Sequence, residues 1–423
     1  MIATRLAVAA LLLLGPSTAC DEDDSVSDAG GGGFGGGGAP PAATGGGGSG
    51  GEAGFVLVVD WSPCPLDSTK ASGTDAECAT IAVPLDWNAP AGETIALFVK
   101  RWPVLPSPPA AHIWLVQGGP GSASVEWEAR VNTLSGSFPS AQFYMHDPRG
   151  VGRSSRLGCP AQEDATSDGG LDVTLAEWPS CIATVEAMVG AGLAHFTIEQ
   201  SARDLGELVR GISPGVPATL FGQSYGTLLL QRYLHLYPGQ AAAVVLDSLA
   251  NPPASFTSFS EGADRVGHDF LHLCGTDSAC SARLGPDPAA LVDDVFSSAV
   301  DAGGCAGLAA AGGTRYQLAR LFYGLLAFKE YRAVIFPALL RLQRCNAADV
   351  DALTTMLGLL ESGAPSLADQ LHGQVLYTHL VLSEIWDASP PEPAMHLEEL
   401  QTLEFGIIDT ELDELWADRK SVV

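Results

Sequence analysis

Gly-x-Ser-x-Gly occurs three times in the 423 residues, and a serine in that pattern becomes a nucleophile when a strand enters it and a helix leaves it. Gly47-Gly48-Ser49-Gly50-Gly51 lies in a glycine-rich stretch with no strand before it. Gly211-Ile212-Ser213-Pro214-Gly215 follows a helical segment, and Pro214 has no N–H. Such a turn needs the N–H of the residue after the serine, to hold the charge that develops on the attacked carbonyl oxygen. The second match therefore fails on chemistry. Gly222-Gln223-Ser224-Tyr225-Gly226 has a β-rich run before it and helical spacing after it, so Ser224 is the expected nucleophile. The plainer alternative is a glycine-lined turn that only joins strand to helix. A second oxyanion donor must come from an earlier strand–helix loop, and Gly118-Gly119-Pro120-Gly121 is placed for it. Glycines there let backbone N–H groups face a substrate oxygen with no side chain between. No Cys-x2-Cys and no Cys/His cluster at ligand spacing occurs, so neither a metal nor another cofactor is expected.

Residues 94–99, 112–116, 142–145, 218–221 and 244–247 read as strands. Residues 201–209 place Leu205, Leu208 and Val209 on one helical face, and 225–237 read as the helix leaving Ser224. Short apolar runs separated by helices predict an α/β fold with a mainly parallel sheet, buried on both faces. In open α/β sheets ligands bind at the carboxyl ends of the strands. The glycine-rich turns lie at those ends.

Three segments, in this order, resemble prolyl aminopeptidase-like α/β-hydrolases, above all the secreted bacterial tripeptidyl aminopeptidases. They are Gln117-Gly118-Gly119-Pro120-Gly121, Asp147-Pro148-Arg149-Gly150-Val151-Gly152-Arg153-Ser154 and Gly222-Gln223-Ser224-Tyr225-Gly226. Trp61-Ser62-Pro63-Cys64, the stretch from Cys78 to Trp87, and Leu246-Asp247-Ser248 onward also look like that family. The resemblance is good over about 55–253 and thin beyond. Gln117 stands where prolyl aminopeptidases usually carry His, which weakens transfer of proline preference more than transfer of hydrolase chemistry. The resemblance implies an α/β-hydrolase fold with a helical cap. It also implies that Ser224 attacks an acyl carbon while the N–H groups of Tyr225 and Gly119 hold the oxyanion. Asp147 and Arg149 read as fixing the loop beside the site.

A serine nucleophile needs a histidine base and an orienting acid, which in this fold follow the serine in chain order acid then histidine. The family resemblance puts both near the C-terminus, the acid in a Gly-x-x-Asp turn and the histidine usually after Gly. The later histidines are His235, His268, His272, His372, His379 and His396; only His268 follows Gly, and it is helix-spaced with His272. Asp247, at the end of the strand after the serine helix, is the candidate acid. The expectation is a chain lacking the last strand pair of the hydrolase sheet: a truncated product, a shifted reading frame, or a degenerate non-enzyme. Glu384 resembles a cap carboxylate that binds the substrate's free amine, and its plain alternative is a solvated helix residue. The expected function is an exported serine hydrolase acting at peptide N-termini, on a peptide substrate with a free amine. The alternatives are an esterase or lipase of the same fold, or a non-catalytic surface lipoprotein on a hydrolase scaffold.

The remaining segments concern address rather than chemistry. Residues 1–20 join a basic start to an apolar run too short for the roughly 20 residues a membrane span needs, so they read as a signal peptide. Ser17-Thr18-Ala19-Cys20 resembles a bacterial lipobox with Cys20 as the lipid anchor, and cleavage near Ala19 is the alternative. Residues 21–54 open with four acids and continue glycine-rich, as a flexible tether does. The folded part then divides into a core at 55–252, a helical cap at 253–400 and the start of a return to the core at 401–423. Eight cysteines besides Cys20 suggest disulfides in an exported chain, and sequential pairing is one of 105 possible connectivities. A formal charge of −28 argues against nucleic acid as a partner.

Overall fold

The computed structural model describes residues 55–105, 108–250, 256–361, 366–407 and 410–417. The leader, Cys20 and the tether lie outside these. A seven-stranded sheet organises the N-terminal half: β1 (Ser62–Cys64), β2 (Ala76–Pro84), β3 (Thr94–Trp102), β4 (Ala111–Val116), β5 (Ala141–His146), β6 (Ala218–Gln223) and β7 (Ala243–Asp247). Its order is β1-β2-β3-β5-β4-β6-β7. The chain leaves β4 towards β5 on one side and returns to β6 on the other. This reversal opens a crevice at the carboxyl ends of β4 and β6. Gly118 and Ser224 follow those two ends.

The sheet is mixed, whereas the apolar runs predicted a mainly parallel one. β4, β5, β6 and β7 pair in parallel, but β1, β2, β3 and β5 pair antiparallel along the other half. The link between β2 and β3 is too short for the crossover that parallel pairing requires. Burial on both faces also fails at β7. Its residues alternate between exposed and half-buried, and Val245 is 46% exposed. Among the described residues no strand pairs with its outer edge.

Side chains alternate across the central strands as the pleat dictates. Trp114, Val116 and Tyr144 enter one core with Leu205 and Leu208 of the helix Ile198–Ile212 and Leu229 of the helix Tyr225–Leu236. Leu115, Phe143 and Met145 enter a smaller core on the other face with Trp127 and Val131. Helices thus cover both faces. The predicted apolar face of Ile198–Ile212 is buried, and Thr197 caps its N-terminus by accepting from Gln200 N–H. A separate helical core runs from Leu271 to Leu357 and takes in Phe405. The four disulfides pair sequentially, Cys64–Cys78, Cys159–Cys181, Cys274–Cys280 and Cys305–Cys345.

The helix Tyr225–Leu236 lies unusually close to the sheet. A Cβ at Gly226 would stand 2.7 Å from Val116 O and 2.9 Å from Gln117 O, and one at Gly222 would stand 2.7 Å from Gly226 O. Alanine favours an open helix position by about 1 kcal/mol over glycine, but overpacking costs about 1–3 kcal/mol. Gly226→Ala is therefore expected to lower stability in urea unfolding. Gly262→Ala, in the helix Phe259–Thr276 with nothing within 4 Å of its Cβ position, is expected to raise it. A stabilising Gly226→Ala would overturn the close-packing account.

Two buried histidines set a pH dependence. His112 Nδ1 lies 2.6 Å from Ser213 Oγ, and His146 Nδ1 has no partner among the described residues. Burial pushes both down to about 4. An unfolded histidine titrates near 6.5, so as pH falls from there towards 4 the unfolded chain binds protons that the native chain does not. Stability is full above about 6.5 and falls with acid, by up to about 1.4 kcal/mol per pH unit for each histidine. Urea midpoints between about pH 7 and pH 5 should show this fall, and His146→Gln should flatten it markedly. An unchanged slope in the variant would show that His146 does not contribute.

Candidate active site

Ser224 sits between β6 and the helix Tyr225–Leu236 with φ 54 and ψ −122. A non-glycine residue rarely adopts positive φ, because its Cβ meets its own backbone. Neighbouring chain clamps it there. Ser224 N–H donates to Asp247 O at 3.0 Å. Ser224 O accepts from Thr227 N–H at 2.8 Å and from Thr227 Oγ1 at 2.7 Å. Thr227 Oγ1 in turn accepts from Ala250 N–H at 2.8 Å, so the turn is tied to the exit of β7.

The glycine loop after β4 reaches this serine. A Cβ on Gly118 would lie 3.0 Å from Ser224 Cβ and 3.5 Å from its Oγ. Gly119 has φ 108 and precedes a cis peptide to Pro120. The N–H groups of Gly119 and Tyr225 have no acceptor among the described residues. They are unspent donors beside an exposed serine whose Oγ is also unpaired among the described residues. The sequence did not show what backs the loop. Gly373 N–H donates to Gly121 O at 2.8 Å, and a Cβ on Gly121 would stand 3.1 Å from His372 Cε1. Gly373 was the one sequence signal for that close approach.

Asp147 and Arg149 occupy structural positions. Arg149 is fully buried and spends all five N–H donors. Two form a fork to Asp204 at 2.7 and 2.6 Å, and the others reach Leu85 O, His195 O and Pro84 O. Asp147 accepts from Ser124 N–H and Oγ and from Arg153 N–H and Nε. Burial alone would raise its carboxyl. Arg153 and Ser124 outweigh that and hold it below the usual range.

Asp247 is exposed at the end of β7, in register with Gln223. Gln223 Nε2 approaches its Oδ2 at 3.5 Å, while Gln223 Oε1 accepts from Arg130. Among the described residues no histidine pairs with Asp247 or bonds Ser224 Oγ. His235 and His272 are exposed, His396 contacts Thr257 O at 3.0 Å, and His268 lies in the helical core region with Glu404. Burial lowers both His372 and His379.

Glu384 is exposed as a residue, yet its Oε1 accepts from Ile198 N–H at 2.9 Å, at the start of the helix Ile198–Ile212. Sequence spacing gave no sign of this capping contact. Glu384 lines a cleft of about 1030 Å³ with Glu199, Arg232, His235 and Asp387. Ser224 does not line it, but Leu228, one turn along the serine helix, and Ala250 do. Desolvation raises the Glu384 carboxyl, against the Ile198 N–H. The phenol of Tyr225 is pushed up by burial and further by the Glu384 charge. The cleft carboxylate and the residue after the serine therefore feel each other electrostatically.

Residues 111–277 match the alpha/beta hydrolase fold family. Serine protease Hip1 of Mycobacterium tuberculosis is 27% identical over 269 residues, covering 57% of this chain and 49% of that protein. A tripeptidyl aminopeptidase of Streptomyces coelicolor is 28% identical over 214 residues, covering 46% of this chain and 38% of that one. The chain spans about half the length of the curated relatives it matches. Among solved structures, VinJ is similar at 18% identity and a TM-score of 0.29, over 52% of this chain and 60% of that one. With the sheet order and the turn at Ser224, the N-terminal half of the chain has the α/β-hydrolase fold, and it is similar in sequence to these peptidase relatives.

Proposed function

We propose that the chain carries the nucleophile of an exported serine hydrolase that cleaves amide bonds at peptide N-termini. One observation carries the reading: Ser224 is held at positive φ beside two unspent backbone donors. Ser224 Oγ gives its proton to a general base and adds to the acyl carbon. The charge formed on the carbonyl oxygen is taken by Tyr225 and Gly119 N–H, and collapse returns the proton to the departing amine. A donor of this kind lowers the barrier by about 3–4 kcal/mol. Asp247, beside the turn at the end of β7, is the proposed orienting acid. Glu384, Glu199 and Asp387 leave the cleft negative against Arg232, which suits a cationic substrate amine. The peptidase names of the relatives support a peptide substrate. Four disulfides support an oxidising compartment, with Cys20 as the proposed envelope anchor. A second reading, a non-catalytic binding protein on a hydrolase scaffold, is favoured by one observation: no described histidine reaches Ser224 Oγ.

A fluorophosphonate probe should label the exported chain at Ser224 and leave Ser224→Ala unlabelled. Turnover of aminoacyl and tripeptidyl amides should fall by at least about a thousandfold in Ser224→Ala. Turnover of short acyl esters alone would sink the peptidase reading. A folded but unlabelled wild type, shown by circular dichroism, would favour the binding protein. Glu384→Gln should raise KM for free-amine peptides about tenfold, equal to about 1.4 kcal/mol, with little change in kcat or for N-acetylated peptides. Equal losses for both substrates would reduce Glu384 to a helix cap.

A further inference from the structure

We propose that Asp264, His268 and Glu404 form a binding site for a zinc-class divalent cation, remote in sequence from Ser224 and independent of its chemistry. One ligand atom from each lies within 4.8 Å of the others. His268 Nε2 stands 3.5 Å from Asp264 Oδ2 and 3.3 Å from Glu404 Oε2. Zinc binds imidazole nitrogen at about 2.0–2.1 Å and carboxylate oxygen at about 2.0–2.2 Å, so the N–O edge of its tetrahedron is about 3.3–3.5 Å. Two of the three edges already have that length.

The outer oxygens are fixed by neighbouring backbone N–H groups and by Arg315. Asp264 Oδ1 accepts from the N–H groups of Glu404 and Phe405, each at 2.9 Å. Glu404 Oε1 takes the Arg315 guanidinium. Each carboxylate thus spends one oxygen on orientation and turns the other towards His268. Metal sites hold their ligands in this way. Asp293, on the helix Pro288–Val295, adds an exposed carboxylate with Oδ1 3.9 Å from the same nitrogen. With a neutral imidazole, three carboxylates against one guanidinium leave two negative charges, which a divalent ion balances. One nitrogen with two or three oxygens suits zinc better than magnesium or calcium, which prefer oxygen alone. Sequence spacing led to an expectation of no metal. Asp264 and His268 lie one helical turn apart, but Glu404 is 136 residues further on. The competing reading is an imidazolium pinned by carboxylates, with no metal affinity.

The test is titration of the metal-stripped full chain with zinc chloride by isothermal calorimetry. One zinc per chain is expected, with a rise in Tm that magnesium chloride at the same concentration does not produce. His268→Gln and Glu404→Gln should each weaken binding at least tenfold. X-ray absorption at the zinc edge of the wild type should show only nitrogen and oxygen ligands, and this readout stands even where a variant fails to fold. No saturable binding, equal binding by the variants, equal stabilisation by magnesium, or sulfur in the zinc shell would each overturn the site.

Discussion

Everything around Ser224 depends on a steric constraint. A side-chain-bearing residue is held at φ 54, a conformation that costs of order 1–3 kcal/mol. It persists because three glycines leave room where a Cβ would collide. Gly222 and Gly226 bring the first turn of the serine helix against β4 and β6, and Gly118 lets the loop after β4 pass beside the serine. The reversal of strand order about β4 puts both loops at one crevice. The strained turn then aims a hydroxyl out of the sheet, beside the backbone donors that catalysis requires.

A second, buried frame supports this one. Arg149 joins the end of β2, the residue His195 and the helix Ile198–Ile212 through five hydrogen bonds, with no solvent exposure. An unpaired charge there would be costly, so the fork to Asp204 fixes the helix against the sheet. The same helix begins at the N–H that Glu384 accepts, and so forms one wall of the acidic cleft. The Asp147–Arg153 pair does the same for the loop facing the glycines. The run from Asp147 to Ser154 is thus scaffold for the site, and none of its side chains bonds Ser224.

The site is covered unevenly. β4 and β5 are buried on both faces, whereas β7 alternates between exposed and half-buried and Ser224 faces solvent. Fixed dipoles stabilise a developing oxyanion most where water is excluded. In the described residues the nucleophile and its donors are preorganised, but dehydration and a proton acceptor are not supplied.

Sequence by itself determined what short-range sterics and pattern control. Pro214 eliminated one serine, strand-to-helix periodicity selected Ser224, and the even number of cysteines suggested disulfides, whose pairing only the structure decided. Tertiary structure decided what depends on burial and on chain-distant closure. It made the N-terminal half of the sheet antiparallel and left β7 half-exposed. It carried Glu384 to an N–H 186 residues away and Glu404 to a histidine 136 residues away. Local propensity reads the residues nearest in the chain. Which distant carboxylate meets which donor follows from how the cores pack, and no spacing in the sequence encodes it.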